Sequence, residues 1–142
     1  MKLCKQRYKY DCFLAAMATV LQKDYDVLWP KSFQERIEIN KGSYNGLADE
    51  GYRLLGLKPD VDYWATPVIH KVLYPSQFLR YFRGHPITLQ VPSLNDIGSS
   101  HLIVYADGQV LDPSNRQTYS SPTDIQTVEW VTVFTHDALN RL

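Results

Sequence analysis

Between residues 12 and 22, Leu14, Ala15, Ala18 and Leu21 recur at helical spacing. Asp11 stands where a helix N-cap belongs. Ala15, Ala16 and Ala18 are small enough to let this helix sit close to other elements. Residues 3–8 ahead of it read as a short extended arm. A second helix is expected over residues 32–39, with Phe33, Ile37 and Arg36 on one side. A third is expected over 47–55, with Gly56 just past its end. Gly42 and Gly46 mark loops. Residues 57–74 contain two prolines and Trp64, follow neither period and read as irregular. Ser76 is placed to cap a short helix over 77–83 that Gly84 ends.

The character then changes. Residues 86–91 are rich in β-formers, 92–99 form a polar loop, and 101–106 are an apolar strand. Asp107-Gly108 is a hairpin signal, with 109–111 as the return strand. Residues 127–134, with Val128, Trp130 and Val131, supply another strand. Helices followed by hairpin-connected strands predict an α+β fold, N-terminal helices packed on a C-terminal antiparallel sheet. With 142 residues, one domain spanning 1–142 is expected, large enough to fold without a disulfide or metal.

The hairpin fixes a geometry. If Asp107 and Gly108 are the two central residues of a type I′ turn, Ala106 opposes Gln109, Tyr105 opposes Val110, and Val104 opposes Leu111. Ile103 then opposes Asp112. Opposed residues share a face, and so do residues two apart on a strand. His101 and Asp112 therefore lie on one face as diagonal neighbours, within reach of an imidazole–carboxylate hydrogen bond. A one-residue change in turn length would separate them.

Charge narrows the functions. Fifteen basic and fifteen acidic side chains cancel, which argues against a nucleic-acid binder and against a polybasic membrane anchor. No apolar run reaches the length of a membrane span, and no secretion signal is recognisable. Two cysteines are too few for a disulfide scaffold. A cytoplasmic protein is expected.

Cys12 falls at the first turn of the expected helix, where the helix dipole favours a thiolate. Alone it fits a small buried core residue better than a nucleophile. The His101–Asp112 pair alone fits an ordinary surface hydrogen bond, and Gln6 alone an ordinary surface glutamine. Together they have another meaning. A cysteine nucleophile needs an imidazole to take its proton and a carboxylate to fix the imidazole. It also needs donors for the oxyanion: the Cys12 backbone N–H and the Gln6 amide, the only side-chain amide upstream of Cys12, qualify.

The order of these residues resembles the papain-like cysteine peptidases, most closely the bacteriocin-processing type, the leader-peptidase domain of peptide-exporting ABC transporters. The resemblance rests on Gln6, five residues, then Cys12 after Asp11, running into Phe13-Leu14-Ala15-Ala16. It continues through Gly84-His85-Pro86, His101-Leu102-Ile103-Val104 and Asp112-Pro113. It covers the chain from Gln6 to about Pro113 and implies a stand-alone domain of papain-like fold. Cys12 is then the nucleophile, His101 the base, Asp112 the orienter and Gln6 the oxyanion amide. No cofactor and no metal are implied. Where that family has Gly after the cysteine, this chain has Phe13, which bears on access to the thiol.

The expected function is a thiol protease or isopeptidase. Its partners are a peptide or protein substrate and, beyond that, a partner protein, with no nucleic acid and no membrane. The alternatives are a non-catalytic binding or inhibitor module on the same fold, motivated by Phe13, and a thiol acyltransferase. Asn115 is a second candidate orienter, although the hairpin register favours Asp112. Cys4 reads as structural. Lys2, Lys5, Arg7 and Lys9 form a basic arm with Tyr8 and Tyr10. His85 reads as a solvated loop residue near the site, and His70 and His136 lack a carboxylate partner at matching spacing other than Asp137 and carry no role. Trp29, Trp64 and Trp130 read as core or cleft walls.

Overall fold

A computed structural model describes residues 1–42, 44–68, 79–80, 82 and 84–142, with backbone only for Tyr44 and Asn45. Its elements in chain order are α1 (Cys12–Leu21), α2 (Tyr25–Leu28), α3 (Lys31–Ile39), α4 (Tyr44–Leu54), β1 (Tyr63–Pro67), β2 (Ile87–Pro92), β3 (Ser100–Ala106), β4 (Gln109–Leu111), β5 (Trp130–Phe134) and α5 (His136–Arg141). The strands form one antiparallel sheet in the order β1-β5-β2-β3-β4. The architecture is α+β.

Helix α1 explains its own position. Every residue from Cys12 to Val20 is buried, so the helix is enclosed rather than laid on a surface. Its apolar residues join Trp29, Phe33 and Ile37 on one side and Leu102, Val104 and Phe134 of the sheet on the other. Trp29 Nε1 donates to the Leu14 carbonyl at 3.0 Å, which satisfies a buried indole and fixes the α2–α3 corner against α1. Phe13 stacks edge-on against Tyr52 and tilted against Trp29. Gly51 of α4 makes that possible, because a Cβ there would lie 2.5 Å from Phe13 Cε1.

The opposite face of the sheet is also covered. Leu89, Val91, Ile103, Val131 and Val133 pack beneath Tyr119, Ile125 and Val128 of the chain between β4 and β5. With both faces covered, β3 is buried from His101 to Ala106. That is why its sequence is a continuous apolar run instead of an alternation.

The β3–β4 hairpin has the expected register, with Val104 opposite Leu111, Tyr105 opposite Val110 and Ala106 opposite Gln109. Asp107 (φ 52°) and Gly108 (φ 76°) both have positive φ, as a type I′ turn requires. Helix α1 ends one residue before the expected limit, with Gln22 left-handed. The third expected helix begins earlier, at Tyr44.

Three elements depart from expectation. The expected irregular stretch contains β1, exposed after Tyr63 and able to accommodate Pro67 because, among the described residues, no strand lies beyond it. Helix α2 is only four residues long, and α5 only six, so neither carries a readable period. Asp11 occupies the N-cap position of α1, but its side chain makes no capping bond. Ser76, His70 and most of the helix expected over 77–83 lie outside the described residues. Among the described residues no helix is long and apolar enough to cross a membrane.

Candidate active site

Three chain segments meet where the site forms. Because β3 and β4 are antiparallel, the first residues of β3 lie beside the residue that follows β4. The first turn of α1 abuts the same end. Cys12, His101 and Asp112 thus come together from positions 89 and 11 residues apart in sequence (101 − 12; 112 − 101).

Asp112 Oδ1 accepts a hydrogen bond from His101 Nε2 at 2.5 Å. The same oxygen accepts from the Ser114 backbone N–H at 2.8 Å, and Oδ2 accepts from the Tyr119 N–H at 2.7 Å. The carboxylate is buried and gripped on both oxygens, so it holds the ring in one orientation. His101 also hydrogen-bonds the Cys12 side chain. With Nε2 engaged by Asp112, Nδ1 is the ring nitrogen left for the sulfur. Burial pulls the His101 imidazolium down, but its hydrogen bonds and charge interactions with Asp112 and Cys12 prevail, and its pKa is pushed up to about 9. Asn115 takes no part in this chain. Its Nδ2 donates to the Gln6 carbonyl at 3.4 Å, so the orienter beside His101 is Asp112.

The side chain of Asp11 is fully buried and folds back over the segment ahead of α1 instead of capping the helix. Its Oδ2 accepts from the Arg7 N–H at 3.0 Å and the Tyr25 hydroxyl at 2.8 Å, and its Oδ1 accepts from the Tyr8 N–H at 3.0 Å. Burial, followed by the charge of Asp11, raises the pKa of the Tyr25 phenol, so the hydroxyl stays protonated as a donor. This knot shapes the wall of the site, and Tyr25 went unnoticed in the sequence because nothing in its spacing points to Asp11.

Gln6 belongs to that wall. Its Nε2 donates to the carbonyls of Tyr8 at 3.2 Å and Lys9 at 3.4 Å and to Asp11 Oδ1 at 3.4 Å. All three contacts are long, so the amide is loosely held at the mouth of the site. The backbone of the arm is better anchored. Gln6 N donates to the Pro113 carbonyl at 2.7 Å, and Lys5 Nζ to the Ser114 carbonyl at 2.9 Å. The arm therefore braces the turn that carries Asp112.

Cys12 and His101 open into a cleft of about 500 Å³, walled by Gln6, Tyr8 and Tyr10 on one side and by Ser93, Asn95 and Asn115 on the other. Phe13 does not line it. Its ring points into the core beside Gly51, so the expected effect of Phe13 on access to the thiol is corrected by the direction of its side chain. The basic arm also disperses instead of forming one patch. Arg7 pairs with Asp26, Lys9 with Asp96, and Lys5 with backbone carbonyls. His85 stacks on His136 with ring centroids 4.4 Å apart, and neither residue lines the cleft. Trp29 is core, whereas Trp130 walls a separate groove with Tyr52 and Tyr63. Cys4 and Cys12 are not joined in a disulfide.

The arrangement can move a proton between sulfur and imidazole in a buried setting and present the sulfur to a bound molecule. Comparison with family models, with curated proteins and with solved structures finds no match.

Proposed function

We propose that the chain is a papain-like thiol hydrolase that cleaves a peptide or isopeptide bond, with Cys12 as nucleophile. The observation that carries this reading is the buried hydrogen-bonded series Cys12–His101–Asp112 opening into a cleft of about 500 Å³.

The chemistry follows from the geometry. Cys12 gives its proton to His101 Nδ1, and the thiolate attacks the carbonyl carbon. Asp112 keeps Nε2–H engaged and stabilises the imidazolium. With a pKa of about 9, His101 retains that proton at neutral pH. The new oxyanion lies at the start of α1, where first-turn N–H groups lack acceptors within the helix. The Cys12 N–H supplies one donor and the Gln6 amide the other, after giving up one of its long contacts. The C–N bond breaks as His101 protonates the departing amine, leaving a thioester on Cys12. His101 then takes a proton from water, whose oxygen attacks the thioester, and the carboxylic acid leaves as Cys12 regains its proton.

An amine in place of water would make the same site an acyltransferase. The other alternative is a non-catalytic binding module on the same fold; Phe13, which motivated it, is buried in the core.

The test is digestion of a proteome-derived peptide library in ¹⁸O-labelled water, read by mass spectrometry. The hydrolase reading expects new carboxyl termini carrying the label, absent with Cys12→Ala. Label-free amide products in the presence of added amine would indicate acyl transfer. No Cys12-dependent product would sink both.

A further inference from the structure

The chain is electrically neutral as a whole, but its cleft is not. Apart from the Cys12–His101 pair, the described residues lining it include three cations, Lys9, Lys41 and Arg116, against one carboxylate, Asp96. Asp96 is divided between two of them. Arg116 Nη2 lies 3.1 Å from Oδ2, a contact through one nitrogen only, and Lys9 Nζ lies 3.8 Å from Oδ1. Among the described residues Lys41 has no ion-pair partner. The remainder of the described lining is largely serine, asparagine and tyrosine, with no aliphatic side chain among the described residues.

These charges sit on fixed backbone. Lys9 leaves the segment knotted by Asp11. Lys41 (φ 55°) precedes Gly42 (φ 63°), at which a Cβ would lie 2.6 Å from the Tyr10 carbonyl oxygen, so this turn is locked against the same segment. Asp96 lies in a loop where Ser93 Oγ accepts from the Asn95 and Asp96 N–H groups at 3.2 and 3.1 Å. Asn95 Oδ1 in turn accepts from the Gln117 N–H at 3.0 Å, tying this loop to the segment that carries Arg116. With the backbones held, the long side chains are displayed into the cleft, and an excess of one sign concentrates ligands of the other.

Building on the hydrolase reading, we infer that the cleft selects peptide segments rich in Asp and Glu, whose carboxylates pair with Lys41, Arg116 and Lys9 beside the scissile bond.

The test separates recognition from chemistry by using Cys12→Ala, which binds without turnover. Three dye-labelled twelve-residue Gly/Ser peptides carrying three Glu, three Gln or three Lys are titrated by fluorescence anisotropy. The Glu peptide is expected to bind about five- to tenfold more tightly than the Gln peptide at low salt, the scale of one or two exposed ion pairs. The preference should shrink as salt rises. Lys41→Glu with Arg116→Glu, both at exposed positions, should abolish it, with near-UV circular dichroism confirming the fold. Equal binding of the three peptides, no binding of the Glu peptide, or a preference that survives the double reversal would overturn the inference. If the preference holds while the wild-type protein cleaves no peptide, the charge selection stands and the hydrolase reading falls.

Discussion

Replacing Asp112 by Asn removes the charge that orients His101 while keeping the size of the side chain. In the native site burial alone would lower the imidazolium pKa, and the hydrogen bonds and charges of Asp112 and Cys12 raise it to about 9, against an ordinary value of 6.5. That difference is worth about 3 kcal/mol at about 1.4 kcal/mol per unit. Without the carboxylate, burial is opposed only by Cys12, and the midpoint should fall. The protonated fraction near neutral pH, nearly complete in the native site, then drops with it. Asn also has one oxygen where Asp112 uses two, for Ser114 and Tyr119 as well as His101. One donor must therefore face an amide N–H, at a cost of about 1–3 kcal/mol in stability. The assay is an NMR titration of the His101 ring Cε1–H, assigned by comparison with His101→Gln, on protein shown to be folded at each pH. A midpoint for Asp112→Asn within half a unit of the wild-type value would refute the claim that this carboxylate sets the protonation of His101.

The pH dependence of stability follows with a definite sign. A folded pKa raised above the unfolded one contributes stability that is fully present below about 6.5 and lost as pH rises through 9, amounting to roughly 3 kcal/mol at most. Urea melts across that window should flatten in His101→Gln. Gly51→Ala should destabilise, although Ala is the better helix former by about 1 kcal/mol, because the new methyl collides with Phe13; a loss of about 1–3 kcal/mol by denaturant melting is expected. On any peptide the protein turns over, Gln6→Ala should lower kcat by about 10²–10³ with little change in KM, the signature of a donor used only in the transition state.

Local chemistry with a single answer could be read from the sequence. The Asp107-Gly108 pair dictated a two-residue turn with both φ values positive, and the turn dictated which residues face each other. The His101–Asp112 juxtaposition follows from that register and from nothing remote. The burial of α1 follows from its lack of a polar face. Interactions between distant segments could not be read in this way. Asp11 resembles a helix cap in sequence, but its carboxylate is claimed by Tyr25 and by the Arg7 and Tyr8 amides, which compete successfully for a buried charge. Phe13 resembles an obstruction at the thiol until Gly51, 38 residues on (51 − 13), provides the space that turns it inward. Strand β1 is exposed and carries a proline, so it lacks the alternation by which strands are recognised.

The central claim is that Cys12 is a nucleophile made reactive by His101. The most direct measurement is the rate of iodoacetamide alkylation at each cysteine near pH 7, followed by peptide mass spectrometry. Cys4 is the internal reference, since burial raises its pKa and suppresses its thiolate. Cys12 is the more buried of the two. Access alone would make it the slower, whereas the account predicts that it reacts at least about tenfold faster than Cys4 and that His101→Ala removes the advantage. Cys12 reacting no faster than Cys4, or keeping its advantage in His101→Ala, would contradict it.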